Sequence, residues 1–161
     1  MAATTRGAGK AVGYRRILWP TDFSGTAKAA LPYAVEMAAN AGAELVLLHV
    51  LTPPVAYAGP EIPGALWGEL QQRNRAAARE EIRKIAAELK DAKIRVHTVL
   101  ADGVPFDQIL RVAKRLRCDL IVIATHGRTG LSHVLMGSVA ENVIRRAPCP
   151  VLTVRPPKFK G

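Results

Sequence analysis

Short apolar segments alternate with longer amphipathic segments along the chain. Two of the apolar segments, ELVLLHVL from Glu44 and DLIVIAT from Asp119, are almost unbroken runs of aliphatic residues. Such runs are typical of strands that are covered on both faces of a parallel sheet. The segments between them repeat apolar residues at helical spacing, as Ala30, Leu31 and Ala34 do. The alternation predicts a doubly wound α/β protein with helices on both faces of a parallel sheet.

The same pattern sets the bounds of the predicted elements. Strands are predicted at 17–19, 44–51, 94–100, 119–125 and 150–154, and helices at 25–41, 66–90, 105–116 and 138–146. Pro32 lies inside the first helix, so we expect a kink or a late helix start there. Gly42 follows Asn40 and Ala41 as a helix stop. Residues 52–68 are rich in proline and glycine, which predicts a long loop.

Length and composition indicate one globular unit. The chain has 161 residues, of which 49% are hydrophobic and 22% charged, and this length suffices for a sizeable core. We expect a flexible basic arm at 1–13, a single domain over 14–156 and a basic tail at 157–161. No apolar run approaches the ~20 residues that span a bilayer. The basic N-terminus also lacks a following apolar block, so we expect a cytoplasmic protein with no membrane contact.

Charge and cysteine content add two expectations. The net charge of +10 comes largely from both chain ends and from the third predicted helix, around Arg73, Arg79 and Arg83. A solvated helix face and soluble tails account for this charge, and we do not expect a nucleic-acid partner. Cys118 and Cys149 each lie beside a strand without a metal-ligand spacing, so they are predicted to be buried free thiols.

Three predicted strands end in residues of chemical interest, namely at Pro20-Thr21-Asp22, at His49-Val50 and from Ala124 onward. Ligands of open α/β sheets bind beyond the carboxyl ends of the strands. After Ala124, Gly127 and Gly130 allow backbone N–H groups to approach a phosphate closely. Gly137-Ser138 then opens a helix, whose N-terminus attracts anions. This end of the sheet is therefore the candidate phosphate site.

A purely structural interpretation explains the same residues. Ser138 and Glu141 have the spacing of a capping box, in which Ser138 would only cap its helix. The two loop glycines could only shape a turn, and Asp22 could cap the turn before Ser24. Residue spacing alone favours neither the phosphate site nor the purely structural interpretation. Neither a P-loop nor a dinucleotide-binding glycine motif occurs in the sequence.

The stretch from Thr125 to Val154 closely resembles the C-terminal signature of the universal stress protein family. ILWPTDFSGTAKAAL and AELVLLHV resemble the first strand and helix and the second strand of that family, so the resemblance spans Arg15 to Arg155. Nucleotide-binding members carry the motif G-x2-G-x9-G-[ST]. Here Ala124 stands at the first glycine, Gly127 at the second, and Gly137-Ser138 close the motif.

The resemblance implies a Rossmann-like, five-stranded parallel sheet in the order 3-2-1-4-5. It also implies a homodimer joined through the last strand, 150–154, and an apolar edge strand would in any case need cover. The implied ligand is ATP, with Mg²⁺ as an optional companion of its phosphates. Adenine and ribose contacts are implied at Pro20, Thr21, Asp22 and Val50. Phosphate contacts are implied at Ala124, Thr125, His126, Gly127, Arg128, Thr129, Gly130, Gly137, Ser138, Val139 and Ala140.

The predicted function is that of an ATP-binding stress-response module or switch that acts on a protein partner not identified by the sequence. We predict no catalytic residue and no protein metal cluster, because no general base accompanies the phosphate loop and Asp22 is the only acid placed nearby. Two alternatives stay open. One is a weak ATPase, and the other is a member that binds no nucleotide and acts through protein contacts or through its basic tails on polyanions.

Overall fold

The computed structural model describes residues 13–52, 64–125 and 137–155. The strands are β1 (Arg16–Thr21), β2 (Glu44–Leu51), β3 (Arg95–Asp102), β4 (Leu120–Ala124) and β5 (Val151–Val154). The helices are α1 (Gly25–Lys28), α2 (Leu31–Ala41), α3 (Gly64–Glu88), α4 (Pro105–Arg115) and α5 (Ser138–Arg146), with a 3₁₀ turn at Lys90–Ala92. Among these residues, no helix is both long and apolar enough to cross a membrane.

The strands form one parallel sheet in the order β3-β2-β1-β4-β5. The chain begins at the centre with β1, proceeds outward to β3, and then crosses over to β4 on the other side of β1. Strand order therefore reverses between β1 and β4. The predicted fold class and strand order are confirmed.

The core lies in two layers, one on each face of the sheet. Alternate residues of a strand point to opposite faces, which is why the central strands are apolar throughout. The layer beneath α2 and α3 contains Ile17, Trp19, Leu45, Leu47, Ile82 and Ile85. The layer beneath α4 and α5 contains Leu18, Val46, Leu48, Ile109, Val112 and Val143.

Asp119 joins the two halves of the chain at the amino ends of the central strands. Its Oδ2 accepts hydrogen bonds from the backbone N–H groups of Arg15, at 2.6 Å, and Arg16, at 2.9 Å. Its own N–H donates to the Arg16 carbonyl, at 2.8 Å. Arg16 and Asp119 are 103 residues apart in sequence. This cluster, which we call the Asp119 clamp, holds β4 against β1.

The predicted first helix is two helices. α1 is a single turn capped by Ser24, and α2 begins at Leu31 with Pro32 in its first turn. Proline fits there because the first N–H groups of a helix need no partner within it. α2 ends at Gly42, which adopts the left-handed conformation with a φ of 63°, so the predicted late start and stop are both observed.

The start of α3 and the burial of Cys149 also differ from the expectations. α3 begins at Gly64, directly after Pro63, so the end of the predicted loop at 52–68 is helical. A helix can start directly after a proline, because proline disfavours helical backbone at the residue before it and disrupts a helix when it lies in the interior. Cys118 is buried as predicted, whereas Cys149 is only half-buried because it precedes the edge strand β5.

Residues 1–12 of the predicted arm, the whole predicted tail at 157–161 and residue 156 lie outside the described residues, as do residues 53–63 of the loop. The division into arm, domain and tail stays a prediction.

Candidate functional site

A cavity of about 760 Å³ opens beyond the carboxyl ends of β1, β2 and β4. It lies where strand order reverses, which is where open α/β sheets bind their ligands. Ten of the predicted site residues line it: Pro20, Thr21, Asp22, Val50, Ala124, Thr125, Gly137, Ser138, Val139 and Ala140. The remaining predicted site residues, His126, Gly127, Arg128, Thr129 and Gly130, lie outside the described residues.

Asp22 forms the turn that follows β1. Its Oδ1 accepts hydrogen bonds from the Ser24 backbone N–H, at 3.0 Å, and from the Ser24 hydroxyl, at 2.5 Å. Ser24 Oγ in turn accepts from the N–H of Ala27, at 3.1 Å, and caps α1. The turn-forming role considered for Asp22 is therefore observed. The same bonds also fix its carboxylate at the cavity wall.

Phe23 and His49 form an aromatic wall beside Asp22. Phe23 has a φ of 65°, a conformation rare for a bulky side chain. Its ring stacks on the His49 imidazole, with centroids 4.1 Å apart. His49 Nδ1 lies 2.8 Å from the Thr21 carbonyl oxygen, and because a carbonyl only accepts, Nδ1 carries the proton. The Phe23 stack and the hydrogen bond to Thr21 thus both fix the position of the His49 ring.

The start of α5 contradicts the capping-box prediction. Gly137, not Ser138, is the N-cap: it has an extended backbone, and its N–H donates to the Thr125 carbonyl at 2.7 Å. Ser138 is the first helical residue and is exposed, and no side chain of the described residues caps the helix. Glu141 pairs with Arg145 at 2.7 Å rather than reaching back to the cap. The bond to Thr125 holds Gly137 at the cap position, one residue before Ser138. Within the described part of the chain, no side chain caps the first N–H groups of α5 at the cavity.

α3 supplies a wall that sequence reasoning missed. Asn74, Ala77, Ala78 and Glu81 line the cavity from one face of this helix. Glu81 Oε1 accepts a hydrogen bond from Lys28 Nζ, at 3.1 Å, which ties α3 to α1. Within this set of four, the other residues follow Asn74 by three, four and seven positions, which places all four on one helix face. That spacing was the only sequence signal that could have indicated this wall. The abundance of basic residues on α3 indicated only a solvated face.

Nine further lining residues were also not predicted, among them Phe23, His49, Pro105 and Ile109. His49 had drawn notice at a strand end without being assigned a contact. The two residues of α4 come from a remote part of the chain, and no local pattern connects them with β1.

The described residues contain no group of three or more histidine, cysteine or acidic side chains placed to hold a metal ion. Asp22 and Glu81 are the acids of the described lining.

The doubly wound parallel sheet and the ligand-sized cavity at its switch point place this chain in the class of α/β proteins with a ligand site at the carboxyl ends of the strands. A family model described as the universal stress protein family matches residues 13–155, and the chain belongs to that family. The resemblance inferred from the sequence is confirmed.

Relatives and solved structures agree with this assignment. The universal stress protein MJ0531 of Methanocaldococcus jannaschii is 34% identical over 145 residues, covering 90% of this chain and 84% of its own length. The solved structure of MJ0577, from the same organism, superposes with a TM-score of 0.82 at 33% identity and covers 91% of this chain and 99% of its own. A universal stress protein solved in complex with cAMP has a TM-score of 0.67 at 24% identity, covering 89% and 98%.

Proposed function

We propose that the chain binds ATP in the switch-point cavity and acts as a stress-response binding module or switch. One observation carries the proposal: a single cavity brings an aromatic and aliphatic wall, a fixed carboxylate and the N-terminus of α5 together. An adenine nucleotide has the matching parts, namely a flat base, a hydroxylated sugar and a chain of anionic phosphates.

The base and sugar fit the side formed by β1 and β2. Pro20, Val50 and the Phe23–His49 wall give apolar surface for a flat ring. The Asp22 carboxylate beside them is an acceptor for an amino or hydroxyl group. Its orientation is set before any ligand arrives, because two bonds from Ser24 hold one of its oxygens.

The phosphates fit the side formed by β4 and α5. Gly137 has no Cβ to fill the space in front of the helix, and Ser138 supplies an exposed hydroxyl. The first backbone N–H groups of α5 point out of the helix end and favour an anion. The glycine loop from Gly127 to Gly130 completes this half according to the family resemblance.

Mg²⁺ and hydrolysis are secondary in this proposal. Mg²⁺ commonly binds through phosphate oxygens and water with one or two carboxylates, and Asp22 is the residue of this chain that would hold it. Glu81 is already bonded to Lys28. With no further acid in the described lining, we assign binding rather than catalysis, and slow ATP hydrolysis is the alternative that a turnover assay tests.

Two further parts of the proposal concern assembly and location. We propose a homodimer joined through β5, because this strand is a sheet edge of half-buried side chains and such edges are normally paired or covered. A cytoplasmic location stays a prediction.

Calorimetric titration with ATP tests the site. We expect the wild type to bind ATP and Gly137→Val to lose binding, because the branched side chain would occupy the space for a phosphate. The backbone tolerates valine there, since Gly137 has a φ of −72° and a ψ of 150°. Gly68→Val, which places the same side chain in open space on α3, should bind normally. A wild type that neither binds millimolar ATP nor melts at a higher temperature in its presence would overturn the proposal.

A further inference from the structure

A second cavity, of about 680 Å³, lies at the opposite edge of the sheet from β5. It is lined by residues 99–102 of β3 and by Gln108, Arg111, Val112, Lys114 and Arg115 of α4. We call it the β3–α4 groove. Alternate residues of β3 point to opposite faces of the sheet. A cavity that contacts four consecutive strand residues must therefore run along the backbone edge of the strand.

That edge is long, and no strand among the described residues covers it. β3 pairs with β2 through all eight residues in one continuous register, without a bulge or a proline. Within the described ranges, no strand lies on its other side. An edge strand presents a row of N–H and C=O groups, and natural proteins usually blunt it with short length, inward charges, proline or bulges. The residues 96–101 carry none of the always-charged side chains, so β3 retains the features of a strand that accepts a partner.

The rim of the groove is positively charged. Lys114 and Arg115 form no ion pair within the part of the chain that the structure describes, and both are exposed. Asp102, the acid of the lining, is bonded to Arg75 at 2.5 Å. Arg111 pairs with Asp107 on its own helix at 2.8 Å. Lys114 and Arg115 therefore give the groove two uncompensated positive charges.

The floor of the groove is apolar. Val99 and Ala101 are half-buried, and they pack against the core layer beneath α4 that contains Val112. Aliphatic side chains that alternate along an extended segment fit such a floor, because they would all point the same way.

We propose that the β3–α4 groove binds an acidic, extended peptide segment of another protein, which adds to the sheet beside β3. Backbone hydrogen bonds to the edge supply affinity, and the floor and rim supply specificity. Charge argues against a second copy as the occupant. Two copies joined here would bring the exposed cations Lys114 and Arg115 of each toward the other.

Fluorescence anisotropy with synthetic peptides tests the proposal on the full chain. The probe is a labelled eight-residue peptide of alternating valine and glutamate, and the controls are its valine–lysine counterpart and an oligouridylate. We expect the acidic peptide to bind and the basic one not to bind. An acidic peptide that fails to bind, or an oligouridylate that binds in its place, would overturn the proposal.

Backbone methylation separates strand addition from simple charge attraction. Methyl groups on the amides of either the valines or the glutamates block one edge of the peptide or the other, because successive amides of a strand point to opposite sides. Since only one edge can pair with β3, we expect one methylated peptide to bind on the order of tenfold more weakly and the other to bind unchanged. Equal binding of the two would refute strand addition.

Charge variants locate the site. Lys114→Glu with Arg115→Glu should weaken peptide binding on the order of tenfold. The control, Arg83→Glu with Lys84→Glu, makes the same charge change on exposed positions of α3 and should have little effect. Lys114→Gln with Arg115→Gln serves as a milder pair, because acidic residues in the last turn of α4 disfavour its dipole. Equal losses from the α4 and α3 pairs would contradict a site in the groove, as would a β3-edge homodimer detected by sedimentation.

Discussion

The ring of Phe23 stacks on the imidazole of His49, with planes inclined by 22° and centroids 4.1 Å apart. The pair brings the turn after β1 into contact with the end of β2. Phe23 adopts a φ of 65°, which costs about 1–3 kcal/mol for a non-glycine residue. Strain of this kind persists where the surroundings over-determine it, and here it lies at the wall of the cavity.

Phe23→Leu tests whether that wall contacts the base. The substitution keeps an apolar side chain but removes the aromatic stack, so we expect ATP affinity to fall about three- to tenfold. Calorimetric titration measures the effect. Phe106→Leu changes an aromatic ring of α4 that packs against the core and does not line the cavity, so this matched control should leave affinity unchanged. Equal affinities for wild type and Phe23→Leu would show that the stack is structural only.

Ser138→Ala separates ligand contact from helix capping. Because Gly137 is the N-cap and Ser138 makes no side-chain cap, we expect the free energy of unfolding to change by less than about 0.5 kcal/mol. ATP affinity should nevertheless fall through loss of the hydroxyl. Ser24→Ala is the contrasting variant, because Ser24 does cap a helix and its loss should cost about 1 kcal/mol. Circular dichroism melts and titration of both variants measure the two effects, and a stability loss confined to Ser138→Ala would restore the capping interpretation.

Leu152→Lys tests the proposed dimer. We expect the wild type to be a homodimer at micromolar concentration, and a lysine on β5 to shift it toward monomer by placing charge on the paired edge. Light scattering gives the masses. Val104→Lys, at an exposed position distant from β5 in the strand order, should stay dimeric. A monomeric wild type would refute the prediction.

Alkaline pH should destabilise the fold through Cys118. Burial raises the pKa of its thiol from 9.0 to about 12, and the nearby Cys149 adds to the shift. The folded state thus keeps a proton that the unfolded state loses, so this contribution is intact below pH 9 and is lost as the pH rises toward 12. Chemical denaturation across that range should show a shallower loss of stability for Cys118→Ala than for wild type. Parallel curves would exclude the thiol as the cause.

The elements of the fold were largely predictable because each has a local cause. Unbroken aliphatic runs gave β2 and β4, and Gly42 marked the end of α2. The split between α1 and α2 was predicted only as a kink or a late start. Pro32 restricts the first turn of the helix that contains it, but it does not determine the structure of the residues before that turn. The bounds of β1 were too short because Pro20 and Thr21 read as turn residues, whereas they continue the strand.

The candidate site was half predictable, for a physical reason. Residues at strand ends can be inferred from chain order alone, and Asp22, Val50 and Ala124 were found in this way. Asn74 and Glu81 were not predicted, because the sequence of a helix does not indicate over which strand ends the helix packs. The capping role of Ser138 was wrong because a hydrogen bond from Gly137 to Thr125, invisible in the local spacing, moves the cap.

The Asp119 clamp has a consequence for biosynthesis. A ribosome releases β1 long before β4, yet β1 is the central strand and needs both neighbours. A nascent chain that has emerged through β3 can pair β1 with β2, but the flank of β1 that later meets β4 stays open until Asp119 is made, 103 residues after Arg16. Contacts between such distant residues slow folding and prolong the exposure of unpaired strand edges. Between synthesis of β3 and closure of the clamp, the nascent chain therefore carries an unpaired flank on its central strand.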